Sequence, residues 1–271
     1  MAKPRVLVVA NQKGGVGKTT TAINLGTALA AIGQPTLLID IDPQGNASTG
    51  LGIEQADRKV TIYEVLTGQA KLADAVTPTK IPRLCVVPST VDLSGAELEL
   101  IDLDRRNFRL KDALAEFSAH GQSVCGQSAH GPFSYILIDC PPSLTLLTVN
   151  AMAAADAVVV PLQCEFFALE GLSQLIRTIE RVRGNLNPSL EIQGIVLTMF
   201  DRRNKLSDQV AADVRAHMGD KVYKTVIPRN VRMSEAPSHG LPALVYDLKC
   251  SGSQAYIKLA GELIQRERAA A

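Results

Sequence analysis

The chain has 271 residues, 46% of them hydrophobic, and a formal net charge of +1 at pH 7. That length buries a full core without metal or disulfide staples. Near-neutral charge excludes a protein coated in basic residues, so any nucleic-acid contact must come from a local patch. No apolar run approaches the ~18 residues that span a bilayer, and the short step from Met1 into an apolar run leaves no room for an export signal. A cytoplasmic protein is expected. Five cysteines (Cys85, Cys125, Cys140, Cys164 and Cys250) without a CxxC pair read as reduced thiols.

Residues 5–10 form a short apolar, β-branched run, the pattern of a strand buried on both faces. A glycine-rich turn follows. Residues 18–32 then repeat apolar side chains at helical spacing and stop at Gly33, before a second strand at 36–40. This βαβ opening predicts an α/β fold: a doubly wound, mostly parallel sheet with helices on both faces. Further strands are predicted at 84–87, 135–139, 157–160, 192–198 and 222–227. Helices are predicted at 105–117, 146–154, 168–184 and 207–218. In 254–265, Ile257, Leu259, Ala260, Leu263 and Ile264 make one apolar face, read as a helix docked on the sheet. It lacks the basic run of a membrane-surface helix. The small, polar segment 119–133 reads as a flexible surface loop, and its His120, Cys125 and His130 fit no usual zinc spacing.

The chemistry is concentrated in Asn11-Gln-Lys-Gly-Gly-Val-Gly-Lys-Thr-Thr20, after a buried strand and opening a helix. Glycines let backbone N–H groups close around phosphate oxygens, and the helix N-terminus adds positive partial charge. The cradle is therefore assigned to Gly14, Gly15, Val16, Gly17 and Thr20, with Lys18 reaching the β- and γ-phosphates and the Thr19 hydroxyl ligating Mg²⁺ directly. ATP or ADP with Mg²⁺ is the expected cofactor. The loop departs from the plain GxxxxGK[ST] form: Gln12 replaces the first glycine and a second lysine, Lys13, opens the loop. Strand 36–40 leads into Asp40 and Asp42, and strand 135–139 ends in Asp139. Carboxylates at the C-terminal ends of parallel strands face the crevice where ligands bind. Taken singly, each would as readily be a turn former or helix cap.

The string KGGVGKT resembles the deviant Walker A loop of the ParA/MinD superfamily. Together with DPQGNAST, DCPPS, PLQCEFFALEGL and TVIPRNVRMSEAPSHG, it makes almost the whole chain similar to ParA/Soj-type chromosome-partitioning ATPases. That resemblance implies one P-loop ATPase domain over 1–271 and slow ATP hydrolysis in an ATP-sandwich homodimer. Lys13 would then reach the partner's nucleotide, and Asp42 would position or activate the attacking water. Asp139 would be the Walker B carboxylate, holding Mg²⁺ through water as Asp40 does. Pro228 and Asn230 would flank adenine. It further implies non-specific binding to double-stranded DNA, association with the nucleoid, and a ParB-type centromere-binding partner that stimulates hydrolysis. The first strand begins near Arg5, so the N-terminal helix-turn-helix of larger plasmid relatives is not expected. The 119–133 loop is longer than the family pattern requires.

Between Asp201 and Arg232 eight basic residues meet four acids, a local excess of +4. Such a patch suits sequence-blind phosphate contact, although a solvated charged face has the same composition. Matching to the family singles out Arg203 and Arg232. Three other classes share the loop: a membrane-cycling division-site ATPase, a redox iron protein and a small-molecule synthetase. The first needs a basic amphipathic tail, whereas the chain closes Arg-Ala-Ala-Ala. The second needs a cysteine-held cluster, for which Cys140 and Cys164 are no obvious pair. No substrate pocket for the third is readable.

Overall fold

A computed structural model describes residues 3–119 and 133–270. The expected flexible loop, apart from its end positions, lies outside the described residues. Eight strands form one sheet: β1 (Arg5–Val9), β2 (Thr36–Asp40), β3 (Thr77–Pro78), β4 (Leu84–Val87), β5 (Tyr135–Asp139), β6 (Ala157–Gln163), β7 (Glu191–Phe200) and β8 (Val222–Pro228). Their order is β3-β4-β2-β5-β1-β6-β7-β8, with every pairing parallel except β3 with β4.

The helices are α1 (Lys18–Ala31), α2 (Asn46–Gly50), α3 (Ile62–Thr67), α4 (Leu72–Ala75), α5 (Leu93–Ile101) and α6 (Arg109–Ala119). They continue with α7 (Leu146–Ala154), α8 (Ala168–Asn185), α9 (Lys205–Met218), α10 (Arg232–Glu235), α11 (Ala243–Tyr246) and α12 (Ser251–Ala270). Alternation along the strands splits the core in two. Val6, Val8, Ile136, Ile138, Val158 and Val160 face one layer, built with α3 to α9. Leu7, Val9, Leu137, Ala157 and Val159 face the other, built with α1, α2 and α10 to α12. Helices therefore cover both faces, which is why the central strands read as continuous apolar runs.

Local signals agree with this layout. Thr61 caps α3, its hydroxyl accepting the Tyr63 N–H while Glu64 reaches back to the Thr61 N–H, and Gly68 ends the helix at φ 82°. Among the described residues, no helix is long and apolar enough to cross a membrane. One expectation fails. Cys140, Cys164 and Cys250 are free, but Cys85 on β4 is disulfide-bonded. Scattered cysteine spacing does not reveal which thiols a fold brings within reach.

Candidate functional site

The loop between β1 and α1 lies at the C-terminal edge of the sheet, beside the ends of β2 and β5. Gly15 and Gly17 take φ of 73° and 88°, the left-handed region that admits glycine without strain, and Gly17 is the N-cap of α1. Side chains pin the loop from behind. The Thr198 hydroxyl donates to the Val16 carbonyl at 2.8 Å, and the Asn11 amide donates to Pro161 O at 2.7 Å while its carbonyl accepts the Lys13 N–H.

Lys18 is buried, and its ammonium donates to the Lys13 carbonyl at 2.9 Å. Burial pulls its pKa down, and the nearby Asp139, Cys140 and Asp42 oppose the shift. Below the loop, Asp40 and Asp139 are register partners on adjacent strands and neither is exposed. Asp40 is well provided with donors: Ser48 N–H at 2.8 Å, Ser48 hydroxyl at 2.7 Å and Asp42 N–H at 3.2 Å. Burial still raises its pKa to about 6. Neither oxygen of Asp139 has a hydrogen-bond partner. Its pKa rises well above the carboxylate range because of burial first and the Asp40 charge second. The Thr19 hydroxyl offsets part of this, without completing a hydrogen bond. Asp42, also buried, accepts the Gln44 N–H at 2.9 Å through one oxygen.

An unsatisfied carboxylate fully out of water is costly, unless something supplies positive charge or donors there. Thr19, Asp40 and Asp139 do not make a metal cage, and among the described residues no three His, Cys, Asp or Glu side chains do. Magnesium needs no cage: it keeps several waters and takes one or two protein oxygens plus substrate phosphates. The residues present fit a magnesium nucleotide.

A cavity of about 500 Å³ opens beside the loop, lined by Gly15, Gly17 and Thr20 on one side and by Pro228, Asn230 and Tyr256 on others. Pro228 and Asn230 thus share one cavity with the glycines of the loop. Asn230 is held by Ser251, at 2.9 Å, and by the Arg232 N–H. Met199 lines the same cavity at φ 48°, where β7 and β8 fall out of even register.

Two sequence-predicted sets behave differently. Lys13 is close to the loop but ion-paired to Glu165 of its own chain, at 2.5 Å. Arg203 makes a two-pronged contact with Asp201, and Arg232 pairs with Glu235 at 2.7 Å and faces Asp247 at 3.6 Å. Both arginines are exposed, but neither is a bare cation. Reading the sequence also missed Ser48, Ser89 and Glu165. Ser48 lies inside the string DPQGNAST, yet nothing local says that it holds Asp40.

A family model described as an AAA domain matches residues 4–192. Over 264 residues the chain is 68% identical to the chromosome partitioning protein ParA of Caulobacter vibrioides, covering 97% of this chain and 95% of that one. The chain belongs to the ParA/Soj family of chromosome-partitioning ATPases. Within that family it is also 50% identical to the sporulation initiation inhibitor protein Soj of Bacillus subtilis, covering 96% and 98% of the two chains. Solved structures agree on the P-loop ATPase fold. The septum site-determining protein MinD of Pyrococcus horikoshii, complexed with Mg-ADP, matches at TM-score 0.77 and 28% identity, covering 96% of each chain. A cobyrinic acid a,c-diamide synthase of Mycobacterium smegmatis with bound ADP and magnesium matches at 0.82 and 36%, covering 99% and 97%. The synthetase class thus shares the ParA/Soj fold, at roughly half the identity of the partitioning relative.

Proposed function

We propose that residues 1–271 act as one ATPase domain that segregates DNA: cytoplasmic, nucleoid-associated, and switched by ATP between a free form and a DNA-bound dimer. The reading is carried by Lys18, Asp42 and the unpartnered Asp139 meeting under a phosphate loop in a chain so close to a partitioning ParA. Gly14, Gly15, Val16, Gly17, Thr19 and Thr20 bind the phosphates through backbone and hydroxyl donors, while Lys18 neutralises the β- and γ-oxygens. Bound Mg²⁺ supplies charge neutralisation at the β- and γ-phosphates. Thr19 would give it a direct oxygen, and Asp40 and Asp139 would reach it through water. Asp42 keeps one oxygen on the Gln44 N–H and uses the other to orient the attacking water. Pro228 and Asn230 hold the base.

Lys13 leaves Glu165 to reach the nucleotide of a second subunit, so ATP bridges two chains. The dimer doubles the basic patches carrying Arg203 and Arg232, and affinity for the phosphate backbone climbs steeply with the number of contacts. A ParB-type centromere-binding protein completes the site, speeds the slow hydrolysis and releases the DNA. Binding to unrelated duplexes, measured without nucleotide, with ADP and with ATP, tests this. Retention only with ATP is expected; equal retention in all three states refutes the switch.

A further inference from the structure

The loop after β4 joins the candidate site to an outer helix. Asp40 accepts both the N–H and the hydroxyl of Ser48, and the Ser48 hydroxyl accepts the Ser89 N–H at 3.1 Å. Ser89 is fully buried, its carbonyl takes Arg58 at 2.8 Å, and its own hydroxyl has no partner. Two residues later the chain surfaces at Val91 and enters α5.

Helix α5 is amphipathic in an unusual sense. Leu93, Ala96 and Leu100 face the core, but the opposite side is apolar too: Leu98 is 74% exposed, Ile101 50% and Val91 63%. Leu98 and Ile101 are three apart, one turn of a single face, and a side chain at Gly95, three residues earlier, would meet nothing within 4 Å. Apolar knobs beside a small-residue gap are the surface on which an incoming helix packs. The charge around it is one-sided. From Val91 to Asp104 there are five acids (Asp92, Glu97, Glu99, Asp102 and Asp104) and no base. The next two cations are committed elsewhere, Arg105 to Asp112 and Arg106 to the Ile101 carbonyl.

We propose that this face of α5 docks a basic amphipathic helix of a partner protein, whose seating is felt at Asp40 through Ser89 and Ser48. Apolar anchors would cover Val91, Leu98 and Ile101, and lysines or arginines would meet Asp102 and Asp104 at the rim. Displacing the turn before α5 shifts the Ser89 N–H, which loosens Ser48 and with it the carboxylate that Ser48 positions. The idea rests on the reading that a partner stimulates hydrolysis, but the docking surface can be tested without any turnover.

The probe is a labelled synthetic helix of about five turns, leucine on one face and lysine on the other. It is titrated against the full chain without nucleotide, with amide exchange followed in parallel. The L98S/I101S variant should bind it about tenfold more weakly or worse. The D102N/D104N variant should weaken binding and flatten its salt dependence, while E170Q/E180Q on α8 should match the parent. Exchange at Ser48 and Ser89 should change when the peptide binds. Unchanged affinity in L98S/I101S, or equal loss in the α8 variant, overturns the docking surface. Unchanged exchange at Ser48 and Ser89 overturns the coupling. Loss of ATP-dependent self-association in L98S/I101S, with the peptide still bound, gives the face to a second copy and also overturns the proposal. A chain that hydrolyses no ATP under any condition, yet binds the peptide at α5, refutes the ATPase reading and leaves the docking surface standing.

Discussion

Asp40 and Asp139 end neighbouring parallel strands as direct register partners, and only Asp40 has donors to hold its charge. Both bind protons more tightly in the folded chain than in the unfolded one, whose aspartates titrate near 3.8. Stability from these groups is therefore fully present below that value and is lost as pH rises through about 6 at Asp40, with Asp139 extending the loss upward.

Asp139→Asn should relieve that cost. Without nucleotide at pH 7.5, the variant should melt several degrees above the parent. This takes about 1–3 kcal/mol for an unsatisfied buried group and about 2–4 °C per kcal/mol for a domain of this size. It should also lose most of the extra melting temperature that Mg-ADP gives. Calorimetry checks both, and a lower melting point than the parent would contradict the account.

Asp42→Ala should bind ATP and self-associate yet hydrolyse on the order of a hundredfold more slowly, the usual cost of losing one positioned polar group at a reacting centre. Single-turnover hydrolysis beside ATP titration separates the two effects. A parental rate would remove Asp42 from the chemistry.

Arg203, 89% exposed at its side chain, holds Asp201 down to a pKa of about 2 through a two-pronged contact. On the proposed function, a DNA phosphate would have to compete with that carboxylate. Arg203→Glu should weaken binding and reduce the logarithmic salt slope by about 0.9 per phosphate contact, roughly 2 in a dimer. Asp201→Asn should do the reverse and tighten binding on every sequence alike. If neither variant moves the salt slope, Arg203 is a solvated residue.

Glu165→Gln should free Lys13. Since both partners are about half exposed, each pair is worth at most ~1 kcal/mol, and a dimer releases two, so ATP-dependent self-association should tighten by no more than about thirtyfold. Sedimentation with ATP measures it. Weaker association would mean that Glu165 also acts across the dimer.

The sequence reading matched β2, β4, β5 and α7 to the residue, because runs buried on both sides announce themselves by composition alone. It began α6 four residues early, at Arg105, which instead takes φ 56° and pairs with Asp112. It missed α5, whose leucines point both inward and outward and so show no clean apolar face. It also missed β3, two residues long and antiparallel at the edge. At the site, the loop and the three aspartates were readable because each lies in a contiguous motif. Lys13 with Glu165 was not, since 152 residues separate them and no local pattern records a tertiary contact. The ion pairs of Arg203 and Arg232 were hidden for a different reason: counting charge says nothing about which charges have already met.

One contact bears on how the protein is made. The Thr21 hydroxyl, in the first turns of α1, meets the Tyr256 hydroxyl 3.0 Å away, both buried, with 235 residues between them. Ribosomes deliver chains from the N-terminus onward at about 5–20 residues per second, so α1 waits on the order of ten seconds or more for α12. Until then one flank of α1 has no cover, and Tyr256 is missing from the wall of the cavity beside the loop. The growing chain thus carries the phosphate-loop sequence long before it carries a finished pocket, and nucleotide capture waits until α12 has been made and packed.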